Sequence, residues 1–150
     1  MKNPSTSRPI SRDEIIAAAH DWLKTPYLHQ SSVKGQGTDC LGLIRGLWRD
    51  IYGEEPVTPP PYTPDWNERH GAHEPLLSAA RQHLVPCAQA QPGSVLIFRV
   101  VKDGPAKHCG VLVSADKFIH AYAGREVMES WLSRWWRARI VSTFDFPGAE

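Results

Sequence analysis

The chain has 150 residues, a formal net charge of +1, 41% hydrophobic and 22% charged residues. That length supports one domain with a real core, and the near-neutral balance gives no basis for nucleic-acid binding or an electrostatic grip on membranes. No apolar run approaches the roughly 20 residues that span a bilayer, and three cysteines (Cys40, Cys87, Cys109) without a CxxC pair argue against a disulfide framework or a zinc ribbon.

In chain order, residues 1–10 are predicted as a flexible leader and 11–150 as one domain. Residues 1–12 are polar and lack the apolar centre of an export signal, so synthesis in the cytoplasm is expected. Ser11 with Glu14 makes a capping-box pattern, and Ile15, Ile16, Ala19, Trp22 and Leu23 give the helix that follows an apolar face. Thr25-Pro26 stops it. A polar connection then runs into Gly35-Gln36-Gly37, where glycine permits a close approach. Asp39 reads as the N-cap of a helix from 40 to about 52, with Leu43, Ile44, Leu47, Trp48 and Ile51 on its apolar stripe and Gly53 at its end.

A proline-rich insertion occupies roughly 54–91. Pro56, Pro59, Pro60, Pro61 and Pro64 predict a polyproline-like surface segment pinned by Tyr62 and Trp66. A second helix is predicted over 75–84, with Pro75 in its first turn. From Gln91 the periodicity changes. Strands are predicted at 94–101, 109–113, 117–122, 126–129 and 139–146, with a helical turn at 131–137. Helices first and an antiparallel sheet second is an α+β arrangement.

Cys40 occupies the first helical position, where free backbone N–H groups and the helix dipole favour thiolate over thiol. The Asp39 carboxylate opposes that effect by like charge. His108 and His120, twelve residues apart in neighbouring predicted strands, have the parity to share one face, and strands about 4.8 Å apart would let the rings hydrogen-bond. One reading makes His108 the general base for Cys40 and His120 its orienter. The other makes them two half-buried histidines satisfied by backbone groups. A metal site is set aside, because His108 and Cys109, adjacent on a strand, point to opposite faces. Cys87 and Cys109 read as buried apolar residues. Trp131, Trp135 and Trp136 with Arg134, Arg137 and Arg139 read as core packing with snorkelling arginines, or as a contact surface. Tyr27 either joins the core or turns its hydroxyl into the site.

Four segments in order carry a resemblance: residues 38–49 around Cys40, the strand opened by Pro92-Gly93-Ser94, His108-Cys109-Gly110-Val111 and Phe118-Ile119-His120-Ala121. Together they resemble the NlpC/P60 cysteine peptidases over roughly residues 13–145. Residues 38–49, 104–108 and 118–122 are similar to the branch found in phage tail modules and gene transfer agents. The resemblance implies a compact papain-like α+β fold with N-terminal helices packed on an antiparallel sheet. It also implies cleavage of murein stem peptides, typically at the γ-D-glutamyl to diamino-acid bond, without a cofactor or metal. Cys40 takes the nucleophile position, His108 the base and His120 the third polar position. Tyr27, Asp39 and Leu41 fall at oxyanion or substrate-binding positions. Leu41 stands where the family usually has serine, and His29-Gln30 stands where glycines often follow the Pro-Tyr pair.

The expected function is thus a murein endopeptidase working through a thiol acyl-enzyme. It would be carried by a phage-like tail, with tail-tip or hub proteins as partners, to the periplasm of a recipient cell. Two rivals use the same residues or fold: a tail-tip component retaining the fold for assembly, and an acyltransferase or amidase acting elsewhere.

Overall fold

The computed structural model describes residues 9–55 and 74–150. The predicted leader, save its last two residues, and the proline-rich stretch with Tyr62 and Trp66 lie outside the described residues. Helix α1 (Arg12–Asp21) starts at Ser11, whose hydroxyl accepts from the Glu14 N–H. A short antiparallel pair, β1 (Ser32–Val33) and β2 (Gly37–Thr38), leads into α2 (Cys40–Tyr52). Helix α3 (Pro75–His83) precedes β3 (Val85–Pro86) and β4 (Val95–Phe98). Then come β5 (His108–Leu112), β6 (Lys117–Ala121), β7 (Val127–Trp131), the single-turn helix α4 (Arg134–Arg137) and β8 (Ile140–Asp145).

Six of these strands form one antiparallel sheet in the order β3-β8-β4-β5-β6-β7. Its two faces bury different sets, as alternation along a strand requires. Val95, Ile97, Cys109, Val111, Ile119 and Ala121 meet the helices. Leu96, Phe98, Leu112 and Phe118 close the opposite face with Leu132 and the flanking Trp136 and Ile140. The close approach of α1 and α2 depends on Gly46, where an added Cβ would lie 2.1 Å from the Trp22 ring. Trp22 is fully buried there and donates its Nε1–H to Asp50 at 2.8 Å. Helix α2 packs on β5 and β6. No helix among the described residues is long and apolar enough to cross a membrane.

Three differences from the sequence-based expectation have physical reasons. The connection after Pro26 pairs as β1 and β2, and β3 pairs with β8, but two-residue strands carry no periodicity to read. The strand predicted over 94–101 ends at Phe98, because the β4–β8 register shifts there. The tryptophans divide: Trp136 packs into the second face, whereas Trp131 and Trp135 are 63% and 47% exposed. Cations cover these two, with Lys117 Nζ 4.5 Å from the Trp131 ring centroid and the Arg139 guanidinium 3.7 Å from that of Trp135.

Candidate active site

The site is set by how α2 begins. Asp39 turns its carboxylate back onto the chain, so that Oδ1 accepts from the Gly42 N–H at 2.7 Å and Oδ2 from the Gln30 N–H at 2.8 Å. Ser32 Oγ donates to the Gly42 carbonyl at 2.6 Å, stitching the preceding strand to the first helical turn. Cys40 then stands half-buried as the first helical residue.

Strand β5 brackets this cysteine with two successive residues. Cys109, on the helix-facing side, places its Sγ 3.3 Å from the Cys40 carbonyl, and its single S–H can turn to that oxygen or to the Cys40 sulfur. His108 opens the strand with its ring on the other face, and the Lys107 carbonyl before it lies 3.7 Å from Cys40 Sγ. These neighbours pull the Cys40 thiol from its ordinary 9.0 down to about 5. A hydrogen bond from the Cys109 thiol does most, and His108 adds a hydrogen bond and its charge, against opposition from burial and from Asp39. Cys109 moves the opposite way, well up, because it donates to Cys40 and is buried.

His108 Nε2 lies 2.8 Å from His120 Nδ1, which leaves His108 Nδ1 as the ring atom for the sulfur. His120 Nε2 in turn lies 2.8 Å from Ser130 Oγ on β7. Aromatic rings wall this line in. Phe118 stacks on His120 with centroids 4.3 Å apart, and Trp136 lies 5.5 Å from the His108 ring and 5.3 Å from that of His120. His120 is fully buried, and burial first, then the His108 charge, lowers its pKa from 6.5 to about 3. It is therefore neutral at any ordinary pH.

The loop that delivers His108 is itself clasped. Glu74, at the start of α3, accepts from the Arg99 guanidinium at 2.7 Å and from the Ala106 N–H at 2.8 Å, and Arg99 also donates to the Gly104 carbonyl. An open cleft of about 730 Å³ lies over the sulfur, lined by Tyr27, Cys40, Lys107, His108, Tyr122 and Trp135 among others. Tyr27 is held by a backbone bridge to Thr38. Burial, then the nearby Cys40 and Asp39, raise its hydroxyl pKa from 10.0 to about 12, so it stays a neutral donor.

Cys40, His108, His120 and Tyr27 thus come together. Two other expected contacts sit elsewhere: the Asp39 carboxylate is buried under backbone N–H groups, and Leu41 packs partly buried against the core, neither lining the cleft. Cys109 is buried as expected but is polar in effect. Cys87 is half-buried, with Sγ 3.5 Å from Thr143 Oγ1. Ser130 carried no signal in the sequence, because only the β6–β7 register brings it to His120. Among the described residues no cluster of three His, Cys, Asp or Glu side chains is arranged to hold a metal.

A model of the NlpC/P60 family matches residues 24–144. Among curated proteins the chain is similar to the gamma-DL-glutamyl hydrolase of Bacillus subtilis, 23% identical over 128 residues covering 85% of this chain and 27% of that protein. It is also similar to a probable endopeptidase of Haemophilus influenzae, 25% identical over 128 residues covering 81% of this chain and 70% of that protein. The chain therefore spans little more than a quarter of the first relative's length. Among solved structures, the NlpC/p60 domain of the peptidoglycan hydrolase SagA superposes with a TM-score of 0.63 at 20% identity, over 91% of this chain and 100% of that one. An NlpC/P60 protein from Bacillus cereus gives 0.65 at 16%, over 94% of this chain and 42% of that one. At such identities the likeness establishes the fold, a compact papain-like α+β arrangement.

Proposed function

This chain belongs to the NlpC/P60 family, and on that premise we propose that it is a cysteine endopeptidase cutting the stem peptides of murein. The observation that carries the reading is Cys40 at the helix tip, its thiol pKa lowered to about 5, with His108 against it beneath an open cleft. The Cys40 thiolate attacks a stem-peptide carbonyl, forming the C–S bond while the carbonyl electrons move to oxygen. The Cys40 N–H, a first-turn amide without a helical partner, and the Tyr27 hydroxyl stabilise that oxyanion. His108 returns the proton to the leaving amine. It then takes one from the water that hydrolyses the acyl-enzyme.

The relatives support the substrate class, since three of the four described are named as a gamma-DL-glutamyl hydrolase, a probable endopeptidase and a peptidoglycan hydrolase. We further propose delivery by a phage-like tail, supported by the likeness of residues 38–49, 104–108 and 118–122 to that branch of the family.

The test is digestion of defined muropeptides followed by product masses. The native chain is expected to split the γ-D-glutamyl bond, and Cys40→Ala to lose nearly all activity while folding normally. Equal digestion by Cys40→Ala overturns the reading. For delivery, particles assembled with Cys40→Ala are expected to have intact tails and poor penetration of recipient cells. Missing tails would instead make the chain an assembly component.

A further inference from the structure

The line of hydrogen bonds leaving the sulfur does not stop at the second imidazole. His108 on β5, His120 on β6 and Ser130 on β7 stand on one face of three neighbouring strands, joined by two contacts of 2.8 Å. Ser130 is only partly buried, and it takes no part in the acyl-transfer steps.

Counting protons gives it a task. A neutral imidazole has one N–H and one bare nitrogen. To accept the Cys40 proton, His108 must offer a bare Nδ1, so its own proton sits on Nε2 and points at His120 Nδ1. That atom must then be bare, and the His120 proton must sit on Nε2, facing Ser130 Oγ. We propose that Ser130 is a positioning residue of this site: its Oγ accepts the His120 Nε2–H and thereby keeps that proton paired in the tautomer that leaves His120 Nδ1 open to His108. The inference rests on the thiol mechanism proposed above.

The opposite tautomer fails for a geometric reason. A proton on His120 Nδ1 would face the proton on His108 Nε2, so His108 would have to turn its bare atom toward His120 and its N–H toward the sulfur. The base would be blocked without any change of charge. His120 has no charged escape from this choice, because it is buried among Phe118, Trp136 and Tyr122 and its cation is disfavoured there. A hydroxyl can accept or donate, so the His108 Nε2–H makes the choice. Ser130 Oγ, turned to accept, pairs the His120 Nε2–H that this choice leaves in a buried place. Without it that N–H is stranded, which costs more than a bare nitrogen. The imidazolium that forms on His108 keeps its Nε2–H, so the same His120 acceptor also supports the thiolate–imidazolium pair.

Three variants of the full chain separate this role from a packing role. Ser130→Ala removes the acceptor. Ser130→Val removes it in a strand-favouring shape, and Ser130→Thr restores it in the same shape as valine. Two readouts need no substrate: the His120 tautomer by nitrogen-15 NMR, and the pH profile of Cys40 alkylation by iodoacetamide, followed by peptide mass. In the native chain and Ser130→Thr, His120 is expected wholly as the Nε2–H tautomer. In Ser130→Ala and Ser130→Val the Nδ1–H form should appear, the alkylation midpoint should rise, and the rate near that midpoint should fall three- to tenfold. An unchanged tautomer and profile in both Ala and Val variants, or a Thr variant that behaves like Val, overturns the proposal. A native chain that leaves murein intact while these shifts appear would sink the substrate reading and leave this one standing.

Discussion

At the scale of single residues, the acidity of Cys40 draws on a second thiol and on His108 as well as on its place at the helix start. Helix position alone is a modest aid to a thiolate, whereas a hydrogen bond from Cys109 leads the causes that bring it to about 5. Cys40 alkylation by iodoacetamide should therefore rise with pH about a midpoint near 5. In Cys109→Ala the midpoint should move up toward the ordinary thiol range, and an unmoved profile would assign the effect to His108 alone. Tyr27 makes the complementary prediction. A hydroxyl held protonated to about pH 12 is a donor throughout the working range, so Tyr27→Phe should lower kcat on a muropeptide roughly 10- to 100-fold with little change in KM. Cys40 and its Asp39 cap were legible in the sequence because cap, helix start and nucleophile are neighbours in the chain. Cys109 was legible only as a buried apolar residue, since its contact with the Cys40 carbonyl crosses 69 positions.

At the scale of elements, α2 was the most readable because independent signals agree on it. Asp39 caps it, its apolar positions keep helical spacing, and Gly53 ends it with φ +97. The spacing does not reveal why glycine recurs inside it. Gly46 leaves room for Trp22 and Gly42 for the Ser31 carbonyl, which an added Cβ would approach to 2.0 Å. Gly46→Ala should therefore destabilise the chain by about 1–3 kcal/mol despite better helix propensity, read as a lower urea midpoint at unchanged slope. A stability gain would mean the α1–α2 contact can relax. The strands tell the converse story. Parity of 108 and 120 was visible, but Ser130 enters the line only through cross-strand pairing, which one sequence does not display.

At the scale of the whole molecule, the buried His120 couples stability to pH. Its folded pKa of about 3 lies below the ordinary 6.5, so between those values the unfolded chain binds a proton that the native chain does not. Stability therefore falls as pH drops below about 6.5, and this loss is complete near pH 3. The contribution is on the order of 3 kcal/mol by pH 4. His120→Gln should lose less stability than the native chain between pH 7 and pH 4, by urea unfolding at both values. Equal losses would mean that His120 is hydrated or charged in the fold. The antiparallel ladder has a consequence of its own. In the pairing seen, Val111 faces Ile119 and Leu112 faces Phe118, which turns both imidazoles to one side. Sliding β6 by a single step would exchange His120 for an aliphatic neighbour and strand the thiol without its base, although the backbone pairing would survive. The short turn at 114–116 thus acts as a combination lock: it holds no reacting atom, yet one click in either direction leaves an intact sheet and a silent sulfur.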